Sequence, residues 1–298
     1  MSEHAPLLKL NTLGTYAITF HDRPFTGFVS RKVDALLVYL TCELREHQRE
    51  SLATLLWEDH SLDRALGNLR TALSNLTQKL PGYFNVTRYT ISINADMPWW
   101  VDSVSISRSV QHAEANKLTP SSALELSAAL AHYKGEFLEG FHLRGATLFD
   151  EWRTLQAQSL RRQQLSGLRL LLHYAIDQNF HTDGIQYAER LLTLEPTDEA
   201  THRSLIRLLA QSDQRSSAIA QYETCKRILR EELGLEPDAE TQALITQIES
   251  ETVTNPLKVK SNLPVPATEF IPRPFQLAQI GSHLRQPSCR LLSIVGAG

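Results

Sequence analysis

Between Asp63 and Asp96 the chain carries no carboxylate, yet the same window holds Arg64, Arg70, Lys79 and Arg88. Wound as a helix at about 100° per residue, residues 64–80 separate cleanly. Ala65, Leu69, Ala72, Leu73, Leu76 and Leu80 fall on one side, and Arg64, Gly67, Asn68, Thr71, Ser74, Asn75 and Gln78 on the other. An acid-free face of amides, hydroxyls and a cation suits DNA. Asn can bond N6 and N7 of adenine together, and Arg serves guanine or a phosphate. Polar groups opposite an apolar stripe also describe any amphipathic surface helix, so the surrounding elements have to decide.

Those elements come in a telling order. Residues 7–20 alternate loosely around Gly14 and predict two short strands with a turn. Residues 31–44 place Val33, Leu36, Leu37 and Leu40 on one helical face, with Ser30 as the N-cap. A short helix follows at about 50–57, then the helix of residues 62–80, which Pro81-Gly82 ends. Residues 83–93 alternate with period two and predict a hairpin with Thr87, Arg88 and Tyr89 near its tip. Strands, three helices and a hairpin in this order are the arrangement of a winged helix with an N-terminal sheet, whose wing touches the backbone or the minor groove.

From 102 to 250 helical periodicity takes over. An echo at a spacing of 34 residues runs through it: Leu171 recurs as Leu205, Leu172 as Ile206, Ala175 as Leu209 and Ile185 as Ile219. That is the period of tetratricopeptide helix pairs, which bury their faces only by stacking. Residues 251–268 lack periodicity and are rich in Pro, Ser, Thr and Asn, as a linker is. The expected fold is mainly α with a small β component: a winged helix-turn-helix domain at 1–101 and a TPR-like α-helical repeat domain at 102–250.

Composition removes several alternatives. The formal net charge is −3, so attraction to nucleic acid has to come from a local face. Cys42, Cys225 and Cys289 lie far apart, which fits a reducing cytoplasm better than a disulfide framework or a zinc site. Residues 1–6 have no apolar signal region and no apolar run is long enough to span a bilayer, so the expectation is a cytoplasmic protein without a membrane partner. The eleven histidines show no ligand spacing. Glu136 with Glu139, and Asp150 with Glu151, are expected to be surface positions on helices, and no catalytic residues or metal ligands are assigned.

Two sets of motifs carry a family resemblance. Glu50-Ser51-Leu52-Ala53-Thr54-Leu55-Leu56-Trp57-Glu58-Asp59, then Arg64-Ala65 and Leu69-Arg70-Thr71-Ala72-Leu73-Ser74-Asn75-Leu76, resemble the OmpR-type winged helix of the Streptomyces antibiotic regulatory protein (SARP) family. Tyr133-Lys134-Gly135-Glu136-Phe137-Leu138-Glu139-Gly140-Phe141, Phe149-Asp150-Glu151-Trp152-Arg153, and Glu232-Leu233-Gly234-Leu235-Glu236-Pro237 are similar to elements of the bacterial transcriptional activator domain. The resemblance implies a transcription activator that binds double-stranded DNA at promoter repeats as a homodimer and helps hold RNA polymerase there. Carried over by position, Arg70, Thr71, Ser74 and Asn75 face bases or nearby phosphates and Arg88 sits in the wing. With the helix reading, the DNA-binding set is Arg64, Asn68, Arg70, Thr71, Ser74, Asn75, Gln78, Lys79, Thr87 and Arg88. Family members often carry Arg where this chain has Asn75 and Thr77, so its salt dependence should be shallower. Tyr133, Phe137, Phe141 and Trp152 are expected to be core anchors, and Trp99 and Trp100 to clamp the two domains together.

Two rival readings stand beside this one. In the first, residues 102–250 are a protein-interaction adaptor and the winged helix is another interaction module. In the second, the chain is the regulatory fragment of an ATP-dependent switch. Leu291-Leu292-Ser293-Ile294-Val295-Gly296-Ala297-Gly298 is similar to the start of a P-loop ATPase domain of the STAND class, expected at 269–298. The phosphate-binding Lys and the Mg²⁺-binding Ser/Thr are missing from it. No cofactor is therefore expected in this chain, with ATP and Mg²⁺ reserved for a longer parent.

Overall fold

The computed structural model describes residues 8–254. Burial alternates along Leu8–Asn11 (β1), with Leu8 and Leu10 turned inward, and the chain returns through Gly14 as Ala17–Phe20 (β2), antiparallel to it. Gly14 holds φ +93°, a backbone state open to glycine at little cost. Arg23–Pro24 (β3) extends the edge of β2. Arg31–Glu43 (α1) follows and buries Val33, Leu36, Leu37 and Leu40 as its spacing predicts. Ser30 occupies the N-cap position, but its side chain makes no capping bond.

His47–Gln48 (β4) leads into Arg49–Leu56 (α2) and Leu62–Lys79 (α3). Phe84–Val86 (β5) and Thr90–Ile93 (β6) form the expected hairpin, and β4 pairs antiparallel with β6 to make a three-stranded wing sheet. Trp99–Val101 (β7) then runs parallel to β1 and completes a sheet of order β3-β2-β1-β7. This is a winged helix with an N-terminal sheet.

The rest is helical: Asp102–Ala115 (α4), Pro120–Leu130 (α5), Thr147–Asp177 (α6), His181–Leu194 (α7), Glu199–Gln211 (α8) and Arg215–Ile228 (α9). A π turn, Leu229–Leu233, ends at left-handed Gly234, and Ala239–Thr254 (α10) follows. Thr119 caps α5 in a reciprocal box with Ser122, and Pro120 opens that helix, where its missing N–H costs nothing. The 34-residue echo marks successive layers. Leu171 and Leu172 of α6 and Leu205 and Ile206 of α8 are all buried. Gly184 lets α7 approach Leu208 of α8, whose Cδ1 would lie 2.9 Å from an added Cβ.

The helical expectation fails over 131–146. The Tyr133–Phe141 motif is an irregular arm, so Glu136 and Glu139 are exposed but not on a helix. The reason is tertiary pairing. Gly14 N–H donates to Glu136 O at 2.9 Å and Leu138 N–H to Thr12 O at 2.7 Å, tying the arm to the turn after β1. Gly135 has no room for a side chain, since a Cβ there would lie 2.9 Å from Gly14 Cα. Phe137 and Phe141 are buried anchors as predicted, while Tyr133 and Trp152 are half-buried.

Winged helix and helical domain share one compact unit, which contacts define up to Glu249; the chain from Ser250 falls in a second. Asp102, the first residue of α4, is 1% exposed and accepts bonds from Thr12 N–H, Thr12 Oγ1, Leu13 N–H and Ser103 N–H at 2.5–3.0 Å. Trp152 donates Nε1–H to Glu43 Oε1 at 2.7 Å and packs on Tyr39 of α1, ring centroids 4.8 Å apart. Glu58, between α2 and α3, accepts the N–H groups of Thr147 and Leu148 at 2.6 and 3.2 Å, satisfying donors that the start of α6 leaves free. Trp99 and Trp100 meet the helical domain through Arg108, 5.7 Å above the Trp99 ring, and His132, 4.9 Å from that of Trp100.

One packed acid makes a pH prediction. Burial pushes the Asp34 carboxyl up to about 6, against the hydrogen bond from Tyr16 and the charge of Arg31. The folded state therefore binds the proton more tightly than the unfolded chain, whose Asp titrates near 4. Stability falls as pH rises through that window. Asp34→Asn should match wild type near pH 4 and gain on it up to about pH 7 in urea unfolding. A constant offset across that range would show that Asp34 does not carry the effect.

Candidate nucleic-acid interface

The apolar stripe of α3 is buried as the spacing predicts: Ala65, Leu69, Ala72, Leu73 and Leu76 face the core. That burial forces the other side outward. Arg64, Arg70, Thr71, Ser74, Gln78 and Lys79 are exposed, and Asn68 and Asn75 are half-buried. Arg64, Arg70 and Lys79 have no carboxylate partner among the described residues, and Asn68, Ser74 and Gln78 make no side-chain hydrogen bond there. Their donors are open to a ligand.

Other members of the set are partly occupied. Thr71 Oγ1 donates back to Gly67 O at 3.3 Å. Asn75 Oδ1 accepts from Val29 N–H at 3.3 Å, which leaves its amide N–H groups as the free edge. Thr87 is a turn residue first: its Oγ1 accepts the N–H groups of Tyr89 and Thr90 at 3.1 and 2.9 Å and pins the wing tip. Arg88 is exposed beside it, its guanidinium 5.4 Å above the Tyr89 ring. Arg49 braces the wing from α2, donating N–H to Tyr89 O at 3.0 Å and Nη1–H to Thr87 O at 3.1 Å.

Sequence reasoning missed a neighbouring set. Asn68 and Thr71 share a shallow depression of about 350 Å³ with Ser30, Lys32, Trp57 and His60. Lys32 lies 5.5 Å from the Trp57 ring centre, and burial lowers its pKa while Asp59 and Glu58 draw it back up. The signal was present in the Arg31-Lys32 pair opening α1. Periodicity assigns such a pair to solvent and says nothing of the helix it stands beside.

Among the described residues no group of three His, Cys, Asp or Glu can hold a metal ion, and no helix is long and apolar enough to cross a membrane. Burial pushes the Cys42 thiol up to about 12, which keeps it protonated near neutral pH. Residues 251–254 of the expected linker end α10, and the rest of it, with the nucleotide-loop reading at 269–298, lies outside the described residues.

The chain's likeness to known proteins agrees with this architecture. The family described as the bacterial transcriptional activator domain matches residues 101–249, half of the chain. No curated protein matches it. Among solved structures, Mycobacterium tuberculosis EmbR in complex with a low-affinity phosphopeptide superposes with a TM-score of 0.56 at 22% identity, over 86% of this chain and 67% of that one. At that identity the likeness concerns the fold. Its fold agrees with the element order described above, and by the family match the chain belongs to the bacterial transcriptional activator domain family.

Proposed function

We propose that this activator reads double-stranded DNA by laying α3 in the major groove and the β5–β6 wing against the backbone. The observation that carries the reading is the outward side of α3. It presents cations and amides, holds no carboxylate after Asp63, and leaves most of its donors unpaired inside the protein. Free amides can be spent on base edges and free cations on phosphates. Asn68 keeps both its carbonyl and its amide available, as bidentate recognition of adenine requires. Asn75 has its oxygen engaged and serves as a donor only.

Binding as a homodimer at repeated promoter sites, and recruitment of RNA polymerase through the helical repeats, complete the proposal. Both rest on the family. The adaptor alternative has one observation behind it, a groove of about 310 Å³ between α5, α6 and α7 where Leu124 and Phe180 stand exposed.

Selection from a random duplex pool with the whole chain, followed by mobility shifts, tests the DNA reading. Asn68→Ala is expected to lose about 1–3 kcal/mol of discrimination on the selected site. Arg64→Ala and Arg88→Ala should weaken binding to every sequence and flatten the log–log salt slope by about 0.9 each. Failure to enrich any sequence, with Asn68→Ala indistinguishable from wild type, would leave the adaptor reading in its place.

A further inference from the structure

The arm of the helical domain crosses onto the flank of α3. Gly145 O accepts a hydrogen bond from Lys32 Nζ at 3.3 Å, and Lys32 lines the same depression as Asn68 and Thr71. Gly145 has φ +61°, and a Cβ there would lie 2.6 Å from Asp59 Oδ2, so the arm lies directly on the turn between α2 and α3. Glu58 holds the arm's far end through Thr147 and Leu148. Arg144, one residue before this contact, is exposed and has no hydrogen-bond or ion-pair partner among the described residues. Arg31 is also exposed and rests its guanidinium 5.1 Å above the ring of Phe141, another arm residue.

Three acids stand near these cations, and each has a partner. Glu58 faces the N–H groups at the start of α6. Asp59 bonds to His60 Nδ1 at 2.6 Å, and Asp34 accepts from Tyr16 Oη at 3.4 Å. Asp59 stays exposed beside Lys32, and Arg31 and Arg144 are the exposed cations of the ledge.

A helix lying in a major groove has a phosphate strand along each flank, because the groove is only about 12 Å wide. On the flank that bears Asn68 and Thr71, the depression continues through Ser30, Lys32, Trp57 and His60, and Lys32 reaches the arm at Gly145 O. We propose that Arg144, with Arg31 and Lys32, forms a phosphate-binding ledge beside α3, so that the activator domain's own arm is part of the DNA interface. This rests on the DNA reading above. It adds that the first hundred residues alone make an incomplete contact.

The test is a salt series of fluorescence anisotropy with the whole chain on a short random-sequence duplex, where phosphate contacts dominate. Arg144→Gln should flatten the slope of log affinity against log salt by about 0.9, so that the loss between about 50 and 200 mM salt shrinks about 3.5-fold. Arg144→Lys keeps the charge and should keep the slope. Arg207→Gln, an exposed cation on α8, should behave as wild type. The sequence enriched from a random pool should be the same for Arg144→Gln as for wild type, since the ledge touches no base. If wild type binds and Arg144→Gln has the wild-type slope, the ledge is wrong and the DNA reading stands. If wild type shows no salt-dependent affinity for duplex DNA, both fall together.

Discussion

In urea unfolding, Asp102→Ala is expected to lose about 4 kcal/mol relative to wild type. The carboxylate is buried and takes the backbone N–H groups of Thr12 and Leu13 together with the Thr12 hydroxyl. Alanine removes the acceptor and leaves those donors inside a dry junction, each at about 1–3 kcal/mol. Thr12→Val deletes only the hydroxyl and should cost about 1 kcal/mol. Asp102→Asn is a sharper control, because its NH₂ must face backbone donors; it should fall closer to alanine than to wild type. A loss below about 1 kcal/mol for Asp102→Ala would mean that water replaces the carboxylate and that the junction is wet.

Asp102 also shows where sequence reading runs out. An Asp in the first turn of a helix reads as a favourable partner for the helix dipole. Nothing local reveals that its acceptors are spent on residues 89 and 90 positions earlier. The same holds for β7. Trp99–Val101 is three residues long and pairs in parallel with a strand at the other end of the domain, so neither alternation nor a turn announces it. Two-residue strands such as β3 and β4 are too short to have a period. By contrast α1, α2, α3 and the β5–β6 hairpin were legible, because each buries one face and exposes the other. The 131–146 arm was misread as helical for the opposite reason. Its form is dictated by Gly14 and the β1 turn, which lie outside any local window. For the candidate interface, the helix and its outward residues were readable. The half-occupied state of Asn75 and the company of Lys32 required the fold.

Trp152→Ala is expected to lose about 3–5 kcal/mol in the same measurement. Its indole meets Tyr39, Phe137 and Phe149, with ring centroids 4.8–5.8 Å apart, and donates to Glu43. Truncation opens a cavity at the seam between α1 and α6 and takes the indole donor away from a carboxylate. Trp152→Phe keeps most of the packing and gives up only the donor, for a cost of about 1–2 kcal/mol. The pair of values separates the two contributions. Equal losses for alanine and phenylalanine would assign the whole effect to the Glu43 bond. A negligible loss for alanine would show that the seam closes without the ring.

The N-terminus of α6 ends on Glu58, and the helix runs unbroken for 31 residues from there into the repeats. That is about 46 Å of rigid rod at 1.5 Å per residue. Whatever meets the repeats does so at a bearing already set by the turn that precedes α3. If α3 reads a promoter as proposed, this removes much of the orientational search: once that helix is seated, the rod aims the far surface in one direction relative to the duplex. The entropy of presenting that surface to a second protein is spent when the chain folds, not when the complex assembles.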